Sequence, residues 1–192
     1  FIATLGMMAV ARSLAMFFVR GGNVVGTVEG YTTLSRGVFL GLRYPVYVFF
    51  GVTLLVYFVM RSTKFGRYVY ATGSNEKATL LSAINVNRVK TGVYLFSSSL
   101  VAVAAIMEGA TLNAISSANS GHMYELDSIA MVIIGGTRLD GGRGNVFGTF
   151  LGVLLIGVLN NVLNLLNVSP FLQGFVKGLI IIVAVLVQRK RN

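Results

Sequence analysis

Long apolar runs broken by short polar clusters set the pattern of this chain. A helix crossing a bilayer needs about 20 mostly apolar residues, with roughly 17–25 usual. The candidate runs are 1–19, 45–60, 91–110, 146–168 and 171–188. Pro45 suits a first helical position, where its missing N–H does no harm. Between the third and fourth runs lies LDSIAMVIIGG, residues 126–136, too short to span unless residues 121–125 join it. A short or broken helix is tolerated when its free backbone groups are satisfied inside a bundle. The pattern predicts an all-α polytopic transmembrane bundle of five to six segments, one short or broken, in a single domain over 1–192.

The longest polar interruption, 61–90, carries the marks of an ordered element. Ser74 or Asn75 can cap a helix by accepting from its first free N–H groups. Glu76 then sits in the first turn, favourable to the helix dipole. Ala78, Leu81 and Ile84 recur at spacing three as a short apolar face, and Asn85 and Asn87 close the helix. Two readings fit a capped helix there: one that rests its apolar face on lipid, and a knob that docks a cytoplasmic partner.

Composition agrees with the membrane reading. The chain is 55% hydrophobic and 11% charged, against about 25% charged in ordinary soluble domains. It starts at Phe1 inside an apolar run, so we expect a fragment lacking N-terminal spans. The first run is no signal peptide: it lacks a basic n-region and a small-residue cleavage motif, and contains Arg12. The net charge of +10 could suggest nucleic acid, but the cations lie in short loops between apolar runs, so no nucleic-acid partner is expected.

Those cations orient the chain by the positive-inside rule. Eleven fall in connections assigned to the cytoplasm: Arg61, Lys64, Arg67, Lys77, Arg88, Lys90, Arg138, Arg143, Arg189, Lys190 and Arg191. Only Arg20, Arg36 and Arg43 fall outside. The alternation closes only if 126–136 crosses.

Other motifs are weaker. Gly148-x-x-x-Gly152 and Gly174-x-x-x-Gly178 let helix backbones approach, and predict close packing of the last two spans. GGTRLDGGRGN, residues 135–145, lacks the Gly-Lys-Ser/Thr ending of a phosphate loop and reads as a tight cytoplasmic turn. Glu108, Lys177, Asn160, Asn161 and Asn164 are polar groups within apolar runs, where burial is expensive. They either bond between helices, with Glu108 or Glu125 pairing Arg12 or Lys177, or line a polar path. With no cysteine and one histidine, His122, no thiolate chemistry or histidine metal cluster is available. No catalytic set appears.

The run Asn75-Glu76-Lys77-Ala78-Thr79-Leu80-Leu81-Ser82-Ala83-Ile84-Asn85-Val86 resembles the coupling-helix segment of ribose-type permease subunits of bacterial ABC importers. YELDSIAMVIIGGTRLDGGRGNVFGT, LNNVLNLLNVSPFLQGFVKGLIIIVAVLV and TLGMMAVARSLA are similar to the same family, in the same order. The resemblance covers essentially the whole chain and corresponds to the C-terminal part of such a subunit. It implies a multi-pass inner-membrane permease that translocates a monosaccharide, surrounded by lipid and paired with a second permease copy. It further implies a cytoplasmic ABC ATPase and a periplasmic sugar-binding protein. This chain would carry no cofactor, with ATP bound by the partner. Ser74, Asn75, Glu76, Ala78, Leu81, Ser82 and Ala83 would form the docking helix. Two positions depart from the usual Glu-Ala-Ala and Ser-Gly pattern: Lys77 replaces an Ala, and Ala83 replaces the Gly. Rival readings are a permease for a nucleoside or a sugar-derived signal, a proton-coupled carrier and a membrane-embedded enzyme.

Overall fold

The computed structural model describes residues 2–26, 30–169, 172–180 and 182. Along the chain the helices are α1 (Ile2–Val19), α2 (Thr33–Arg36), α3 (Tyr44–Ser62), α4 (Lys64–Ser74), α5 (Glu76–Leu81), α6 (Val86–Leu112), α7 (Tyr124–Ile134) and α8 (Val146–Leu165). Four short strands accompany them: β1 (Asn23–Val25), β2 (Val38–Phe39), β3 (Leu42–Arg43) and β4 (Ala114–Ser116). Helices α1, α3, α6 and α8 are long and apolar enough to cross a membrane. Residues 172–180 are also helical, and the rest of the expected 171–188 span, apart from 182, lies outside the described residues. The architecture is a helical transmembrane bundle. Few side chains are buried, among them Val86, Val89, Ala110, Ala130, Ile133 and Ile156. Apolar side chains facing outward suit a chain whose solvent is lipid, where helices associate by packing rather than by hydrophobic exclusion.

Two compact units are formed: Phe1–Gly51 with Ser97–His122, and Val52–Phe96 with Met123–Asn192. In the first, β1 pairs antiparallel with β4, Val24 opposite Ile115. Ser117 Oγ adds a bond to Gly22 O at 3.1 Å. The segments following α1 and α6 therefore lie together, as the charge-derived topology requires of two external connections. Strands β2 and β3 form a hairpin around Leu40 and Gly41, and lead directly into α3.

In the second unit the 61–90 interruption is mostly helix. Thr63 caps α4, its hydroxyl accepting from Gly66 N at 3.2 Å. Asn75, extended at φ −155°, ends α4 and caps α5 with Oδ1 accepting from Ala78 N at 3.0 Å. Of the two candidate caps the structure chooses Asn75, and Ser74 becomes the last residue of α4. The predicted apolar face does not run through: α5 stops at Leu81, and Ala83 takes φ +59°. Ile84 thus falls beyond the helix. Asn85 opens α6 instead of closing α5, its Oδ1 accepting from Arg88 N at 3.1 Å, and Asn87 lies in the first turn of α6. The span expected at 91–110 is correspondingly longer, 27 residues. Ala83 occupies a left-handed position that favours glycine, which accounts for the usual Gly at that place in the resembled pattern.

Helix α7 gains Tyr124 and Glu125 beyond the predicted run, and Met123 at φ +67° ends its N-terminal extension. At eleven residues it rises about 16 Å, half a typical hydrocarbon core. Its partner is α8. A Cβ on Gly135 would lie 2.6 Å from Gly148 C, and one on Gly152 would strike Met131 O. The Gly148/Gly152 pair therefore packs α8 on the short helix, not on the last span as predicted. Gly174 and Gly178 have nothing among the described residues within 4 Å of where their Cβ would be.

Candidate functional site

The α4–α5 corner is built by local chemistry. Asn75 turns the chain, and its backbone oxygen accepts from Thr79 Oγ1 at 2.8 Å. Thr79 is buried, as are Val86 and Val89 at the start of α6. Ser82 Oγ donates to Ala78 O at 3.0 Å, finishing the last turn. Lys90 Nζ reaches Glu76 Oε1 at 2.7 Å and ties α5 to α6. Both side chains are about half exposed, so the pair contributes at most about 1 kcal/mol and serves mainly to hold direction.

What α5 presents outward is apolar. Leu80 is 62% exposed and Leu81 88%, and Ala78 is exposed beside them. An open groove of about 790 Å³ runs alongside, lined by Glu76, Lys77, Leu80, Ala83, Ile84 and Asn87 among others. Of the residues named from sequence, Ala78 and Leu81 are on this outward surface, whereas Ser74 and Asn75 form the corner. Leu80 was missed because a spacing of three selects one row of a helix, and a single turn and a half displays more than one row.

The connection 135–145 is the tight turn expected, closed by Arg138 N donating to Arg143 O at 3.0 Å. It packs against the α4–α5 corner: a Cβ on Gly142 would lie 2.7 Å from Ser74 Cα. Tyr70 OH donates to Gly144 O at 3.2 Å. The two connections thus share one side of their unit, as the charge-derived topology requires if α7 crosses.

Lys177 Nζ meets Asp127 Oδ2 at 2.8 Å, the two side chains 24% and 19% exposed. Asp127, rather than the expected Glu108 or Glu125, is the partner of Lys177. Asn164 Oδ1 accepts from Gln173 Nε2 at 3.0 Å. Gln173 and Lys177 are one turn apart on one helix face, so that face bonds both α7 and α8. Asn161 is exposed, and Glu108 lies on α6 in the other unit. Asn160 Oδ1 is buried with no hydrogen-bond partner among the described residues.

Residues 1–185 match the family described as branched-chain amino acid transport system / permease component. The ribose import permease protein of Bacillus subtilis is 44% identical over 194 residues, covering 100% of this chain and 60% of that protein. The ribose import permease protein of Escherichia coli K12 is 43% identical over 198 residues, covering 100% of this chain and 61% of that protein. The xylose transport system permease protein of Haemophilus influenzae is 43% identical over 145 residues, covering 76% of this chain and 38% of that protein. This chain thus spans about 60% of the length of the ribose relatives it matches. No solved structure matches. A match over nearly the whole chain, joined to four apolar helices, makes this a multi-pass membrane protein that belongs to the branched-chain amino acid transport system / permease component family.

Proposed function

We propose that the chain is part of the membrane-spanning permease of an ATP-driven importer for a monosaccharide, a ribose-like pentose or hexose, in the bacterial inner membrane. The reading is supported by the relatives, which are named as import permeases for ribose and for galactose/methyl galactoside and as a xylose transport system permease. Hydrolysis belongs to a separate ABC ATPase, sugar capture to a periplasmic binding protein, and a second permease copy completes the pathway. The carrying observation is α5: a short helix pinned at both ends, with Leu80 and Leu81 outward and a groove beside them. An element that transmits force must be ordered, and this one is. Ala78 and Leu81 contact the ATPase in this reading, Glu76 and Ser82 lie near the rim of the contact, Ala83 ends the helix, and Ser74 and Asn75 hold its angle.

Ala78→Trp separates docking from simple rest on lipid. Overpacking a groove typically costs about 1–3 kcal/mol, so the tryptophan should weaken ATPase association or uncouple hydrolysis from uptake while insertion is retained. At a lipid interface the same side chain is welcome. Co-purification of the ATPase together with ribose uptake in vesicles is the measurement. Normal values of both in Ala78→Trp would sink the docking reading.

We assign Asn160, with Asn161 and Asn164 on the same helix, to the polar path. Its support is the buried Asn160 Oδ1, which has no hydrogen-bond partner among the described residues. An unsatisfied buried amide costs about 1–3 kcal/mol, so Asn160→Leu should stabilise the protein in detergent. If Asn160 serves solute, uptake should fall at the same time. A variant as stable as expected with undiminished uptake would remove Asn160 from the path.

A further inference from the structure

Gly73, Gly141 and Gly142 meet where no side chain could stand. A Cβ on Gly73 would lie 2.7 Å from Gly142 N, and one on Gly141 2.7 Å from Gly73 O. One on Gly142 would lie 2.7 Å from Ser74 Cα. The atoms struck are backbone and cannot swing aside. Gly141 and Gly142 also take φ of +90° and +74°, a region that side-chain-bearing residues avoid. The 135–145 connection therefore lies backbone to backbone on the corner between α4 and α5, with the Tyr70 hydroxyl bonded to Gly144 O as a second tie.

The two ends of this contact belong to different machinery. On one side it touches Ser74, next to Asn75, which caps α5. On the other it continues directly into α7 and α8, themselves packed through Gly135, Gly148 and Gly152. A slack connection would absorb a displacement of α5. A closed turn with direct backbone contact passes it on, because packed interfaces have low compressibility.

We propose that Gly73, Gly141 and Gly142 are positioning residues of the transport cycle, forming a strut that carries movement of α5 to the α7–α8 pair. The proposal rests on the reading of α5 as the ATPase-docking helix. It gives that helix a second route into the membrane, besides the Glu76–Lys90 tie to α6. Widening the contact should leave docking in place and spoil transmission.

The test uses the full permease with its ATPase in proteoliposomes, with ribose as the transported probe and three readouts: ATPase co-purification, hydrolysis, and ribose taken up per ATP. Gly142→Ala should keep the ATPase bound and lower uptake per ATP about tenfold, within the range of ordinary coupling energies. Tyr70→Phe removes one hydroxyl and should lower the ratio about twofold, at the mild end for residues along a coupling path. Gly157→Ala, where nothing among the described residues stands within 4 Å of the new Cβ, should leave it unchanged. An unchanged ratio in Gly142→Ala overturns the strut while the docking reading stands. Should that variant fail to insert, an unchanged ratio in Tyr70→Phe overturns it instead. If the unaltered permease holds no ATPase, docking and strut fall together.

Discussion

Gly152→Leu should prevent α7 and α8 from packing and cost about 3 kcal/mol or more, the upper end for overpacking. The contact is backbone to backbone: a Cβ on Gly152 would strike Met131 O, and Gly135 N lies 3.2 Å away from it. Side chains can change rotamer to admit a methyl group, but a carbonyl fixed in a helix cannot. The helices must separate, and separation also forfeits the approach of Gly148 to Gly135, four residues earlier along α8. Lipid offers no hydrophobic drive to push them back, since acyl chains solvate apolar helix faces as well as other helices do. Gly157→Leu on the same helix is the contrast, because its Cβ would meet nothing among the described residues and the helix gains a better helix former. Unfolding of the purified variants by heat or denaturing detergent measures both. Equal stability of the two would mean that the glycine seam does not hold α7 to α8.

The second large effect is expected at Lys177 and Asp127. Their 2.8 Å contact is mostly buried, with 24% and 19% of the side chains exposed. Breaking a fully buried pair by removing one partner costs about 3–5 kcal/mol, because the survivor is left uncompensated in a low dielectric. Allowing for the residual exposure, Lys177→Met and Asp127→Asn should each cost about 2–3 kcal/mol. The exchange of both, Asp127→Lys with Lys177→Asp, should recover part of that loss, since the pair is re-formed with reversed sense. The expected signature is two unstable single variants and a more stable double variant in the same unfolding assay. Single variants as stable as the parent would show that the pair contributes nothing to tying the 172–180 helix to α7.

The α4–α5 corner shows how much residues close in sequence determine. Asn75 as a helix cap, Glu76 in the first turn and a short ordered helix after it were all legible, because capping depends on residues three or four apart. The end of that helix was not. Ile84 and Asn85 continue the apolar and polar spacing on paper, and only the left-handed backbone at Ala83 shows that the chain has already turned. Helix α4 is not among the elements expected from the sequence, although Thr63 caps it by the same rule that identifies Asn75. Its alternation of polar and apolar residues was masked by two glycines, Gly66 and Gly73, which a propensity argument counts against a helix.

By itself the sequence determined the apolar runs, their helical state among the described residues and the side of the membrane expected for each connection. All three depend on composition and on charge counted locally, which no tertiary contact can change. It also marked Gly148 and Gly152 as a seam without saying what they face. Only the tertiary structure decided that they meet α7, that Asp127 answers Lys177, and that Gly141 and Gly142 press on the corner beside Ser74. Glycine advertises that a backbone can come close and an ionised side chain that a partner is needed. Neither names the partner, because residues as distant in sequence as Asp127 and Lys177 become neighbours only when whole helices pack.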